Sequence, residues 1–260
     1  MIELSVALPI YKGKNIAWLA LESLCRQKEI NFEWELIVIE EEIKCFSKEE
    51  LMKYSDRLKE LGCVRISYTL LKKRIPLSQK WKMIGNKVGK SSKVCVLQAA
   101  DCYSQPYRLV DTYKLIVEQD YDYVSCQIGP FYDIPDDNVV VYDKTKQPII
   151  PGLNMAIKSH FIKNLPTTNK RSGLDGWIVS MSKKSGKKFV PTHINNNHWK
   201  MGVDTNGMNN ISFKRHIQMK NHKNYNRSIK ISLDEILPKD IVKKLRNCVK
   251  YCMRKKRKTK

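Results

Sequence analysis

The chain has 260 residues, 42% of them hydrophobic, and a formal net charge of +22. That length and apolar content support a folded core and exclude a wholly disordered chain, and no run approaches the roughly 18 apolar residues a membrane span needs. The excess of cations calls for an anionic partner: nucleotide phosphates, an acidic glycan, anionic lipid or nucleic acid. Eight cysteines (Cys25, Cys45, Cys63, Cys95, Cys102, Cys126, Cys248, Cys252) form no C-x-x-C pair and no metal-ligand spacing, and several lie inside apolar runs. They read as reduced thiols in a cytoplasmic setting. No signal-peptide pattern precedes the first apolar run, so the expectation is a soluble or peripheral protein.

Taken in order, Glu3 to Ile10 reads as a strand ending in Pro9, Ile10 and Tyr11, and Asn15 opens a helix carrying Ile16, Leu19, Leu21, Leu24 and Cys25 at helical spacing. Trp34 to Ile39 is a second, continuously apolar strand that runs into Glu40, Glu41 and Glu42. Ser47 and Glu50 have capping-box spacing before a charged helix through Leu51, Met52, Leu58 and Leu61. Val64 to Leu71 is a third strand. A basic stretch, Lys72-Lys73-Arg74, leads to a helix from Ser78 with Trp81, Met83, Ile84 and Val88. A fourth apolar run, Val94 to Leu97, ends in a polar cluster with Gln98 and Asp101, and Pro106 precedes another helix. Four alternations of strand and helix predict a parallel sheet covered by helices, with its ligand crevice at the strands' carboxyl ends. On its own, Asp101 is equally an ordinary turn residue.

Beyond residue 120 the pattern changes. Strands are expected over Tyr123 to Ile128 and Val139 to Tyr142, with a loop over Pro130 to Asp137 between them. A short extended segment runs from Gly152 to Ile157, a helix begins near Ser159, and another opens at Ser172-Gly173-Leu174-Asp175-Gly176-Trp177. Lys188 to Val190 is a late strand. His193 to Asn210, rich in Asn and Gly, reads as a loop. The domain is drawn at residues 1–211. Residues 212–260 form a basic linker and an amphipathic helix with Ile241, Leu245, Cys248, Val249 and Cys252 on one face and a Lys/Arg-rich end. Ser232 and Glu235 make a second capping box, and Pro238 suits a first helical turn. Such a helix fits either an anionic membrane surface or a dock on the domain.

Five segments, in order, resemble the family 2 inverting nucleotide-sugar glycosyltransferases of GT-A fold: LPIYKGKNIAWLALESLCRQ (8–27), WELIVIEEE (34–42), KRIPLSQKWKMIGNKVGKSSKVCVLQAAD (73–101), GLNMAIK (152–158) and GLDGW (173–177). The resemblance covers roughly residues 1 to 200. It implies an α/β GT-A fold with a mostly parallel sheet. It further implies inverting transfer from a nucleotide-sugar, a UDP-sugar foremost, to a glycan or lipid-linked acceptor, with Mn²⁺ or Mg²⁺. By the same resemblance Pro9, Tyr11, Glu40, Arg74, Gln98, Ala100 and Asp101 line the donor site, Asp101 holds the metal, and Asp175 is the catalytic base. His198, or else His193, stands where the family often has a metal-contacting His. Asp175 read without the resemblance is a helix N-cap. Gln98 and Ala100 replace acids of the family's D-x-D-D pattern, and Glu40 and Glu41 replace its Asp pair. The competing class is a non-catalytic domain that uses its charge to hold polyanions. Nucleic acid as the partner rests on charge alone, because no RNA-binding aromatic motif, zinc spacing or helix-turn-helix is present.

Overall fold

A computed structural model describes residues 1–126, 128–134, 137–143, 154–166, 168, 177, 202–206 and 231–247. Strand β1 (Leu4–Ile10) is buried almost throughout. Its apolar residues alternate between two helical layers, which is why the sequence is apolar without a period. A 3-10 turn (Gly13–Asn15) leads into α1 (Ala17–Leu24), and β2 (Trp34–Glu41) follows, buried at every position. The expected single charged helix is two short ones, α2 (Lys48–Met52) and α3 (Ser55–Glu60), and Ser47 Oγ accepts from Glu50 N at 3.3 Å to cap the first. Gly62, at φ +82°, carries the left-handed turn that lets the chain re-enter the sheet. Next come β3 (Cys63–Leu71), α4 (Leu77–Lys87), β4 (Val94–Leu97), β5 (Cys102–Ser104) and α5 (Arg108–Tyr113).

The second half carries β6 (Tyr123–Val124), β7 (Ile128–Asp133), β8 (Asn138–Asp143), β9 (Ala156–Lys158), α6 (Ser159–Lys163), β10 (Gly202–Asn206), α7 (Leu233–Ile236) and α8 (239–247). One sheet has the order β3-β2-β1-β4-β9-β6 and the other β5-β10-β7-β8. Strands β1 to β4 run parallel, while β9 is antiparallel to both β4 and β6. The order reverses between β1 and β4, so the crevice of a doubly wound sheet falls at their carboxyl ends.

Two expectations are corrected here. The first half of the segment read as a loop over Pro130 to Asp137, residues 130–133, belongs to strand β7, which pairs over Ile128–Asp133 with Asn138–Asp143 of β8. Pro130 is tolerated because pairing to β10 begins only at Phe131. Within the stretch read as a loop from His193 to Asn210, residues 202–206 form β10, antiparallel to β5 and parallel to β7. Its Gly and Asn content had masked a strand that is defined by its neighbours.

Helices α1, α2, α3 and α5 cover one face of the large sheet, and α4 and α6 the other. At the amino edge Glu35 is buried and accepts from Ser5 Oγ at 2.6 Å, from Gly89 N at 2.7 Å and from Arg65, so its charge is fully partnered. The C-terminal helices belong to the same core. Leu233, Ile236, Leu237, Ile241, Val242 and Leu245 are buried with α1 and Tyr103. Ser232 and Glu235 form the expected capping box. Arg26 pairs with Asp240, Lys244 lies 4.0 Å over the Trp18 ring, and Arg246 bridges Asp234 and Asp137. The apolar face proposed for a membrane is therefore occupied over 241–245 by the domain itself; Cys248, Val249 and Cys252 lie outside the described residues. Among the described residues no helix is long and apolar enough to cross a membrane.

Leu245 is wholly buried, so Leu245→Ala should cost about 2–5 kcal/mol in urea unfolding. Deleting 238–260 should give a destabilised, aggregating protein. A truncated chain as stable as the full one would show the helix to be an accessory.

Candidate functional site

The ends of β1 and β2 set up the first half of the site. Successive strand residues point to opposite faces, so Glu40 and Glu41 diverge. Glu40 is fully buried and accepts from Phe46 N (2.6 Å), Ser47 N (3.3 Å) and Tyr68 Oη (2.9 Å). Burial raises its carboxyl above the usual range, and these hydrogen bonds oppose the rise. It anchors the loop that leaves β2. A Cβ at Gly13 would sit 2.3 Å from Ile10 Cγ2 and 3.1 Å from Glu40 Oε1, so only glycine fits that close approach.

Glu41 faces the other way. Its Oε1 lies 2.9 Å from Lys80 Nζ and 3.4 Å from Ile75 N, and its buried Oε2 has no hydrogen-bond partner. Lys80, on α4, also donates to Ile10 O at 2.7 Å, tying the end of β1 to the end of β2. Burial lowers the Lys80 ammonium below its usual range, and Glu41 opposes that. Around Tyr11, just past β1, stand three cations: Arg74 at 4.5 Å from the ring centroid, Lys12 at 4.9 Å and Lys80 at 5.9 Å. An aromatic ring with cations over it, joined through Lys80 to a carboxylate with one oxygen lacking a donor, suits a flat, N–H-bearing ring attached to an anion.

One strand further on, β4 delivers the turn that carries Asp101. Gln98 is buried and spans that turn: its Nε2 donates to Ala99 O and Cys102 O, both at 2.9 Å. Its Oε1 accepts from Ser104 Oγ and Arg108 Nη1, both at 2.6 Å. Arg108, also buried, donates further to Ser104 Oγ (2.7 Å) and Leu97 O (3.1 Å), and burial pulls its guanidinium down to about 10. Gln98 is thus spent on the turn and offers nothing to a ligand. Ala100 is half-buried and contributes no polar group. The Asp101 carbonyl accepts from Thr205 N (3.1 Å) and Thr205 Oγ1 (2.7 Å), so β10 holds the turn from outside. Asp101 as a residue is half-buried, and desolvation pushes its carboxyl up to about 6.

The strand register pairs Asp204 with Cys102, the residue after Asp101. Sequence reading missed β10 because 202–206 looked like loop; the clue was the alternation of Val203 and Thr205. Among the described residues no group of three or more His, Cys, Asp or Glu is arranged to hold a metal. A partly desolvated carboxylate at the crevice still fits a cation that takes its remaining ligands from phosphate and water. Pro9 lies in β1 as its penultimate residue. Asp175, His193 and His198 lie outside the described residues. Trp177, two positions after Asp175, packs on the cluster beneath α4 and α6.

Comparison with known proteins bears on the fold. No family model matches the sequence, and no curated protein is similar to it in sequence. Among solved structures, Staphylococcus aureus TarS superposes with a TM-score of 0.58 at 12% identity, over 78% of this chain and 37% of that one. Its 1–349 fragment in complex with UDP-GlcNAc gives the same TM-score and identity, with 58% of that chain covered. A Pyrobaculum calidifontis mannosyltransferase in complex with GDP-Man and Mn²⁺ gives 0.56 at 13% identity, over 78% of this chain and 56% of that one. The chain has the GT-A fold and spans roughly a third to three-fifths of the length of these structures.

Gln98→Ala should leave Arg108 and two turn carbonyls short of partners and cost about 1–3 kcal/mol, read by chemical denaturation. An unchanged unfolding midpoint would contradict the stapled-turn account.

Proposed function

We propose that this chain transfers a glycosyl group from a nucleoside-diphosphate sugar to a hydroxyl of a glycan or lipid-linked acceptor, with inversion at the anomeric carbon. The observation that carries this is the placement, at one edge of a GT-A sheet, of the Tyr11–Arg74–Lys80–Glu41 corner beside the Asp101 turn. The nucleobase stacks on Tyr11, with Arg74 closing over it. Glu41 Oε2 accepts a ring N–H from the base edge, which uracil and thymine N3–H and guanine N1–H supply; cytosine has no ring N–H there and offers only its exocyclic amino group. Glu41 thus replaces Glu40 as the base-reading carboxylate, and Glu40 is left to hold its loop. The solved structures with UDP-GlcNAc and with GDP-Man and Mn²⁺ support a donor of this class.

Mn²⁺ or Mg²⁺, when bound, would supply charge neutralisation for the departing diphosphate. Asp101 would hold it, with His198 as the further candidate ligand. Asp175 takes the proton from the acceptor hydroxyl as its oxygen bonds to the anomeric carbon and the bond to the diphosphate breaks. The chain's cations then retain the nucleoside diphosphate until release. Gln98 and Ala100, which withdraw two acids from the donor side, favour the second reading, a GT-A domain that binds polyanions without turnover.

A panel of UDP-, GDP-, CDP- and dTDP-sugars, assayed for hydrolysis and transfer with Mn²⁺ and with EDTA, separates the two. Turnover with UDP- or GDP-sugars, abolished by EDTA and by Asp101→Asn, is expected; no turnover with any donor leaves the polyanion binder. Asp175→Asn should lower kcat about 10²–10⁴-fold with little change in melting temperature. Glu41→Gln should raise the donor KM about tenfold or more, the worth of one charge-assisted hydrogen bond. Glu40→Gln should lower stability and leave KM unchanged. Reversed behaviour of the two glutamates would refute the assignment.

A further inference from the structure

We infer that the rim formed by the loop after β2 and the end of β3 is a surface for an anionic lipid bilayer. The C-terminal helix, whose amphipathic sequence invites that role, spends its apolar face over 241–245 on the core. Among the described residues six large apolar side chains are exposed, Met1, Ile43, Met52, Val64, Leu70 and Tyr107, and of these Ile43 and Leu70 belong to this rim. Ile43 is 50% exposed and Leu70 46% exposed, although each belongs to a well-built part of the fold. Their segments are stitched together: Glu42 N donates to Leu71 O at 3.0 Å, and Lys14 N donates to Lys44 O at 3.0 Å. The loop is further pinned by Phe46 N and Ser47 N on the buried Glu40 carboxylate. Ile43 is thus held out in water by a fixed loop, where an isolated leucine-sized side chain gains nothing.

The same rim is cationic. Lys14, Lys44, Lys72 and Lys73 are all exposed there, and Glu42 is the acid among them. Apolar side chains set between lysines match an anionic interface, where the cations meet headgroups and the aliphatic groups enter the acyl boundary. A soluble polyanion would use the lysines and leave Ile43 and Leu70 unaccounted for. Lys72 and Lys73 run directly into Arg74, which covers Tyr11, so a bilayer on this rim would lie against the mouth of the nucleotide corner. The surface stands on exposure and charge and does not depend on the transferase reading.

The test is sedimentation of the full chain with vesicles of phosphatidylcholine alone and of phosphatidylcholine with phosphatidylglycerol. Binding to the anionic vesicles only is expected. Ile43→Ser with Leu70→Ser, which leaves the charge unaltered, should lower the partition coefficient by about an order of magnitude, and so should Lys44→Ala with Lys73→Ala. Lys239→Ala with Lys243→Ala, exposed on α8, removes the same charge away from the rim and should have a much smaller effect. Melting curves and UDP binding should be unchanged in all three, which separates failure of this surface from failure of the donor site. The inference falls if the wild-type chain does not sediment with anionic vesicles, or if the Ile43/Leu70 variant binds like wild type, the outcome for a soluble-polyanion site. It falls too if the α8 pair matters as much as the rim pair.

Discussion

The structure depends on one constraint: β1 is hydrogen-bonded on both sides and covered on both faces, so its carboxyl end can open only into a crevice between β2 and β4. Polar groups that arrive at such an end are shielded from water and must find partners within the protein. Three of them do so in different ways. Glu40 is consumed by backbone N–H groups, and Gln98 is consumed by the turn it spans. Glu41 is half-consumed by Lys80, and its remaining oxygen is buried without a hydrogen-bond partner. The Lys80–Glu41 pair also explains how two parallel strands that end side by side can tolerate buried charge. Each ion has a partner, and Lys80 gains the Ile10 carbonyl as well.

The apolar pattern made the first half of the fold legible. Strands β1, β2 and β4 are largely apolar runs and β3 a mixed one, and their limits are marked by Pro9, Gly62 and the polar cluster at 98–101. The choice between Glu40 and Glu41 was not legible, because a period of two says that they face opposite ways without saying which face lines the crevice. Gln98 looked like a weakened ligand for a related reason. Its burial depends on Arg108, ten residues on, and no local pattern announces that partner.

The second half was less legible because its strands are defined by pairing more than by composition. Pro130 and the Gly/Asn content around β10 argued for loops, yet register with β8 and β5 overrode them. The C-terminal stripe posed a different ambiguity, since an amphipathic helix reads the same whether its apolar face meets a bilayer or a core. Only the buried contacts of Ile241 and Leu245 decide it.

The most direct measurement is a crystal structure of the chain with UDP and Mn²⁺. The account places the uracil against Tyr11, with its N3–H on Glu41, and the diphosphate-bound cation on Asp101. A nucleotide bound elsewhere, or one bound here with Glu41 still turned wholly to Lys80 and Asp101 remote from the diphosphate, would contradict it.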